Sequence, residues 1–232
     1  MIYCVLMCGG KGTRIKSAMG HKIEKPLIKI RNKPLIEYLI DALTQTSRFE
    51  HIFAAVSDNT QKTQEFILST FLNKITILKT SGKGYSEDYL EIIKFFKCTK
   101  YRKEEDIIKI LFLPIDIPLI SPVIIRQIIN TRQEKPCLTI VLEKEFIESH
   151  GITPSYEFTL GKKNCCYSGI SMIEISKIDI NILEKINLIA EEHKIMNYSE
   201  IACNVNTLDD LKITEKILEN SAKKTNIDKH RQ

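Results

Sequence analysis

A chain of 232 residues, 43% of them hydrophobic and 27% charged, has the composition of a soluble globular protein with a core of ordinary size, which excludes disordered, collagen-like and low-complexity classes. The formal net charge of +5 is mild and includes no dense basic block outside the amino-terminal loop, so an anionic small molecule is the expected partner and nucleic acid is not. Seven cysteines without a C-x-x-C pair, and no secretory signal peptide, fit reduced thiols in a cytoplasm; the most apolar stretch, residues 107–125, is broken by Lys109, Pro114, Asp116, Pro118 and Pro122 and cannot span a membrane.

Strand-like and helix-like runs alternate along the chain. Residues 2–7 read as a buried strand, Cys8 to Ile30 as a loop rich in glycine and cations, residues 34–46 as a helix and residues 51–56 as a second strand. A helix opening at Asn59 or Thr60 is followed by a third strand, residues 75–78, and by a helix over residues 86–96 with Ser86 as its cap. Residues 107–113 read as a central strand, Ser121 and Pro122 as the cap and first position of a helix, and residues 137–142 as another strand. This alternation predicts an α/β fold: a single-domain, mostly parallel central sheet flanked by helices on both faces.

After Leu142 the rhythm changes. Residues 143–168 are polar and irregular, with Gly151, Pro154 and Gly161, and are expected to form an insertion that covers the carboxyl edge of the sheet and helps to build an acceptor pocket. A strand over residues 169–175, a helix over 182–190, a short strand over 201–205 and a helix over 207–220 complete a domain spanning residues 1–220. Residues 221–232 are expected to be a frayed C-terminal tail.

The first loop carries the chemistry. The adjacent glycines Gly9 and Gly10, a third at Gly12, and six Lys or Arg residues between Lys11 and Lys29 mean a backbone that comes close to something negatively charged. It is not a P-loop, because Lys11 precedes Gly12 instead of following the last glycine. Nor is it a dinucleotide fingerprint, because Ile15 stands where the third glycine belongs. What remains is L-x-x-G-G-x-G-T-R with a later K-P-L: Leu6, Gly9, Gly10, Gly12, Thr13 and Arg14, then Lys25, Pro26 and Leu27. Successive N–H groups of such a loop form an anion nest that only small residues permit, and fixed cations offset the charge it holds.

With these residues the chain resembles the nucleotidyltransferases of nucleotide-diphospho-sugar transferase fold, a Rossmann-like architecture. The resemblance implies that the glycine backbone and Lys11 wrap a triphosphate, that Arg14 contacts the β- and γ-phosphates, and that Lys25 stabilises charge at the α-phosphate. It implies a metal-binding Asp after the fourth strand, matched by Asp116, and a second ligand on the last strand, matched by the neutral amide of Asn206; the cofactor would be Mg²⁺ or Mn²⁺. Read from the residues alone, Asp116 either holds a metal or caps the helix near Pro122, and Asn206 either ligates or caps the helix near Leu208.

The run Lys79 to Tyr89, with Ser81, Gly82, Lys83 and Gly84, lies where the family recognises the base. It resembles the archaeal guanylyltransferases of this family that act on a phosphorylated corrinoid, which implies GTP and that acceptor as partners and leaves a homodimer open. The same run is also a tight turn introducing a helix, with Glu87 and Asp88 in its first turn. Ser168 and Gly169 resemble an acceptor-binding segment or are a plain turn into a strand. An acceptor phosphate is mostly dianionic at neutral pH, so no general base is required. Glycosyl transfer on this fold commonly uses Asp-x-Asp, whereas Asp116 is followed by Ile117 and Pro118. A molybdopterin or sugar-phosphate acceptor, and a nucleotide-binding regulatory protein without turnover, are the remaining alternatives.

Overall fold

A computed structural model describes residues 1–13, 15, 23–98, 107–186 and 188–229. The first strand, β1 (Ile2–Met7), is apolar at every position because both of its faces are covered. Cys4 and Leu6 join a core with the helices α1 (Leu35–Thr46), α2 (Gln61–Phe71) and α4 (Pro122–Ile129). Tyr3, Val5 and Met7 join the opposite core, against α3 (Tyr85–Cys98) and α6 (Ile180–Ile186). Between β1 and α1 lies a small hairpin of β2 (Lys29–Ile30) and β3 (Lys33–Pro34).

The remaining strands are β4 (His51–Val56), β5 (Ile75–Lys79), β6 (Lys109–Pro114), β7 (Cys137–Glu143), β8 (Glu157–Leu160), β9 (Lys163–Glu174) and β10 (Glu191–Ile195). The main sheet runs β10-β7-β9-β6-β1-β4-β5, and β8 pairs with the first residues of β9. From β1 the chain adds β4 and then β5 in parallel on one side, before crossing to lay β6 on the other. Loops leaving β1 and β6 therefore diverge, and such a switch point opens a crevice at the carboxyl ends of the strands. The α/β architecture is as the sequence reading expected.

Several expectations need correction. β9 runs antiparallel to both β6 and β7, so the parallel sheet has a reversed strand inside it. The stretch 143–168 is less irregular than its polarity suggested: it contains α5 (Lys144–Ser149), β8 and the start of β9. Residues 191–195 form an edge strand although they read Glu-Glu-His-Lys-Ile, because pairing to β7, not burial, defines them. Residues 201–205 are not a strand. They are the end of α7 (Ser199–Ala202) and an extended connection, buried as a short apolar run that periodicity cannot classify. The last helix, α8, spans Leu208–Lys229, so residues 221–229 continue it. The helix after Gly84 begins at Tyr85, with Ser86 inside its first turn.

Candidate active site

Two glycine loops meet at the carboxyl end of the sheet. Beyond β1 the Gly9 carbonyl accepts a hydrogen bond from Ser57 Oγ at 2.9 Å. A Cβ on Gly9 would stand 3.0 Å from Asp88 Oδ2 and 3.3 Å from Thr80 Oγ1, so a larger residue would push these side chains away. Gly12 has φ +59°, a left-handed conformation that suits a nest of amides. Beyond β5, Gly82 has φ +65°, donates its N–H to Asp88 Oδ1 at 2.8 Å and accepts from Asn59 Nδ2 at 3.2 Å. From the first turn of α3, Asp88 thus ties down the loop after β5 and lies close against Gly9. Burial pushes its carboxyl above the usual range, opposed by the Gly82 N–H and the Thr80 hydroxyl.

Opposite stands a cation held by two loops. Lys25 opens a short 3₁₀ turn, Lys25–Leu27, whose Pro26 is buried. Its Nζ donates to Asp116 Oδ2 at 2.7 Å and to Asn206 Oδ1 at 2.9 Å. The backbone around these acceptors is tied together as well, since Val205 N–H donates to the Asp116 carbonyl at 2.7 Å. A small cluster of Ile15, Ile28, Ile30, Leu35 and Val205 packs the lysine segment against the Asn206 segment. Charge-assisted bonds of this kind, with side chains 11% and 16% exposed, hold the ammonium in one place.

The two capping alternatives are resolved by geometry. Ser121 Oγ accepts from Ile124 N–H at the start of α4, which leaves Asp116 free of that task. Asp210 accepts from the Thr207 N–H, and Asp210 N–H donates to Thr207 Oγ1, a reciprocal cap for α8 that does not use the Asn206 side chain. Asn206 instead points its oxygen at Lys25 and its Nδ2 at Asn204 Oδ1. Asp116 Oδ1 is buried and has no hydrogen-bond partner. An orphaned carboxylate oxygen on a residue that lines a cleft fits a hard divalent cation, with Asn206 as a second oxygen donor. Among the described residues no group of three or more His, Cys, Asp or Glu could hold a metal, so phosphate and water oxygens would complete its shell.

Between these walls lies a cleft of about 480 Å³. It is lined by Gly9, Gly10, Lys11, Gly12, Thr13, Lys25, Gly82, Lys83, Gly84, Asp116 and Asn206, all singled out from sequence. Leu6 lies fully buried in β1 beneath the loop, and Ser81 donates its N–H to Glu91 Oε2 outside the cleft. Arg14 lies outside the described residues. Ser168 and Gly169 do not line the cleft. The Ser168 hydroxyl donates to the Ile140 carbonyl at 2.7 Å and accepts from Ile170 N–H, and Gly169 sits at φ +80° against Pro114; together they form the bulge where β7 and β9 shift register.

Four residues escaped the sequence reading as site residues. Asp88 read as a helix first-turn charge, and Glu24 was given no role. Tyr85 and Tyr156 line the cleft and are 46% and 77% exposed. The Tyr85 hydroxyl donates to the Gly169 carbonyl at 2.9 Å. Cys8, also on the cleft wall, has its thiol pushed far up by burial and is no nucleophile at neutral pH.

A glycine cradle for anions, a fixed ammonium and a hard oxygen acceptor at the switch point of an α/β sheet define an enzyme that transfers a group from a nucleotide. Residues 4–156 match the MobA-like NTP transferase domain family, and the chain belongs to that family of nucleotidyltransferases. It is 30% identical over 228 residues to the adenosylcobinamide-phosphate guanylyltransferase of Methanocaldococcus jannaschii, covering 92% of this chain and 96% of the relative. It is 25% identical over 218 residues to the D-glycero-α-D-manno-heptose 1-phosphate guanylyltransferase of Campylobacter jejuni, covering 89% and 90% of the two chains. A 4-diphosphocytidyl-2C-methyl-D-erythritol synthase from Anaerococcus prevotii shares the fold with a TM-score of 0.62 at 11% identity, covering 94% of this chain and 98% of its own. A hypothetical transferase from Thermus thermophilus does so with a TM-score of 0.63 at 13% identity, covering 90% and 98%.

Proposed function

We propose that the chain transfers GMP from GTP to adenosylcobinamide phosphate, releasing pyrophosphate and forming adenosylcobinamide-GDP, a step in cobalamin biosynthesis. The observation that carries this reading is the Lys25–Asp116–Asn206 group facing the Gly9–Gly12 cradle across one cleft, in a chain that is similar over nearly its whole length to a guanylyltransferase of that acceptor. GTP binding, magnesium and a cytoplasmic setting belong to the same proposal. Among the described residues no helix is long and apolar enough to cross a membrane.

The chemistry is an in-line displacement. An oxygen of the acceptor's phosphate monoester attacks the α-phosphorus, a new P–O bond forms, and the bond to the bridging oxygen of pyrophosphate breaks. With a second pKa of about 6 the attacking phosphate is already largely dianionic at neutral pH, so no side chain has to remove a proton. Catalysis then rests on alignment and charge neutralisation. The amides of Gly10 to Thr13 and the Lys11 ammonium receive the departing pyrophosphate, and Lys25 lies beside the reacting phosphorus. A divalent cation held by Asp116 and Asn206 would offset further charge on the phosphate oxygens. The Gly82–Gly84 loop supplies the wall against which a flat base would lie, and Lys83 adds a cation beside it. Tyr85 and Tyr156 offer aromatic surface at the cleft mouth for a large, largely apolar acceptor.

The heptose-phosphate relative makes a sugar phosphate the competing acceptor. Pyrophosphate release measured with each of the four NTPs, in the presence of cobinamide phosphate, of a sugar 1-phosphate or of neither, separates these readings. Release with GTP and cobinamide phosphate is expected. Release with a sugar 1-phosphate alone, or tight GTP binding without any release, would replace the proposal.

A further inference from the structure

The loop that carries Lys25 is fastened by a residue that does not line the cleft. Glu24 is only 8% exposed, and its carboxylate accepts three hydrogen bonds from the first turn of α2. Lys62 N–H donates to Oε1 at 2.9 Å, while Thr63 N–H and Thr63 Oγ1 donate to Oε2 at 2.7 and 2.6 Å. A carboxylate from a distant segment therefore satisfies helix-start donors that Thr60, at the cap position, leaves without a side-chain partner. Thr63 is fully buried and does not face solvent in any role of its own.

The anchor point is shared with the rest of the cleft. Within residues 57–63, Ser57 Oγ donates to the Gly9 carbonyl and Asn59 Nδ2 to the Gly82 carbonyl, while Lys62 and Thr63 hold Glu24. One seven-residue segment thus touches the triphosphate cradle, the base-side loop and the lysine loop. We propose that Glu24 is a positioning residue for Lys25: by locking the lysine loop to the start of α2, it places the ammonium in register with the cradle that Ser57 holds on the same segment. The link from carboxylate to ammonium is short and stiff, since Leu27 N–H donates to the Glu24 carbonyl at 2.9 Å and buried Pro26 follows Lys25. This inference rests on the proposed nucleotidyl transfer for its kinetic readout.

Glu24→Gln keeps the shape but turns an N–H₂ group toward a backbone N–H. Losing an orienting partner of this kind typically costs 10–100-fold in activity. We expect kcat for GMP transfer to fall by about 10–100-fold while KM for GTP stays within about threefold. In a Lys25→Ala background the same change should cost less than about twofold, because the group being positioned is gone. A merely structural role would lower activity by the same factor in both backgrounds, and that result, or wild-type kcat in Glu24→Gln, would overturn the proposal. If Glu24→Gln does not fold, Thr63→Val removes only the hydroxyl donor and should lower kcat by about threefold with the same dependence on Lys25. A crystal structure of the folded variant reads the outcome without any turnover. Lys25 Nζ withdrawn from Asp116 supports the proposal, and Lys25 unmoved contradicts it. Absence of GMP transfer by the wild-type protein would sink the functional reading alone, and that crystallographic comparison would still decide the role of Glu24.

Discussion

Lys25 Nζ lies 2.7 Å from Asp116 Oδ2 across 91 residues of chain, and this contact joins the loop that follows β1 to the loop that follows β6. The pair sits at the switch point of the sheet, where the two loops part to opposite sides. Asp116 gives Lys25 only one of its two oxygens; the other is buried without a partner. The pair is thus half of an arrangement that a phosphate and a cation would complete.

Lys25→Met removes the ammonium while preserving most of the apolar stem. We expect kcat to fall at least about 100-fold, roughly 2.7 kcal/mol of transition-state stabilisation, with GTP affinity changed by less than about fivefold. Steady-state kinetics together with calorimetric GTP binding check this. A variant that lost affinity but kept kcat would place Lys25 in ground-state binding only.

Asp116→Ala removes the orphaned oxygen and the lysine's main acceptor together. Most turnover should be lost, and added Mg²⁺ or Mn²⁺ should not restore it. In the wild-type protein a chelator should abolish pyrophosphate release and excess Mg²⁺ should return it. Full wild-type rates in chelator would remove the cation from the account.

Gly82→Ala would force a side chain into φ +65° and bring its Cβ to 2.5 Å from Ser57 Oγ and 2.7 Å from Asn59 Nδ2. Positive-φ strain and overpacking together predict a loss of about 2–4 kcal/mol in urea unfolding. Gly10→Ala meets nothing within 4 Å and should change stability by less than about 0.5 kcal/mol. Equal effects at the two positions would contradict the close packing seen between the loops.

Asp88 predicts a pH dependence of unusual sign. Burial raises its carboxyl above the usual range for an aspartate, so the folded protein keeps this proton to higher pH than the unfolded chain does. Between those two values the folded state binds more protons, and the group's contribution to stability falls as pH rises; above the folded value a constant cost remains. The stability of wild type minus that of Asp88→Asn should therefore decline as pH rises from about 3.5, then level off. Urea unfolding at a series of pH values measures the difference. A difference that rises with pH would mean that the bonds from Gly82 and Thr80 outweigh burial.

Much of this site was legible because it is local in sequence. Gly9, Gly10, Gly12 and the Lys25-Pro26-Leu27 turn are adjacent-residue patterns whose backbone demands show in the residue types themselves. Asp116 was recognisable by its place just past a buried strand. Asp88 and Glu24 were not, because what marks them is the set of N–H groups they meet, and those donors come from loops 6 and 38–39 residues away. Ser168 and Gly169 were legible as special residues but not in their role, since a bulge exists only relative to the strand beside it. The reversed strand β9 and the polar edge strand β10 were hidden for the same reason: pairing partners, not periodicity, decide them.

Everything proposed for this chain requires the amino-terminal loop to bind a triphosphate with Lys25 at the reacting phosphorus. A crystal structure of the protein with GTP and Mg²⁺ tests it most directly. Phosphate oxygens are expected within hydrogen-bond distance of the Gly10 to Thr13 amides, with Lys25 Nζ at the α-phosphate. A nucleotide bound elsewhere, with the loop empty, would contradict it.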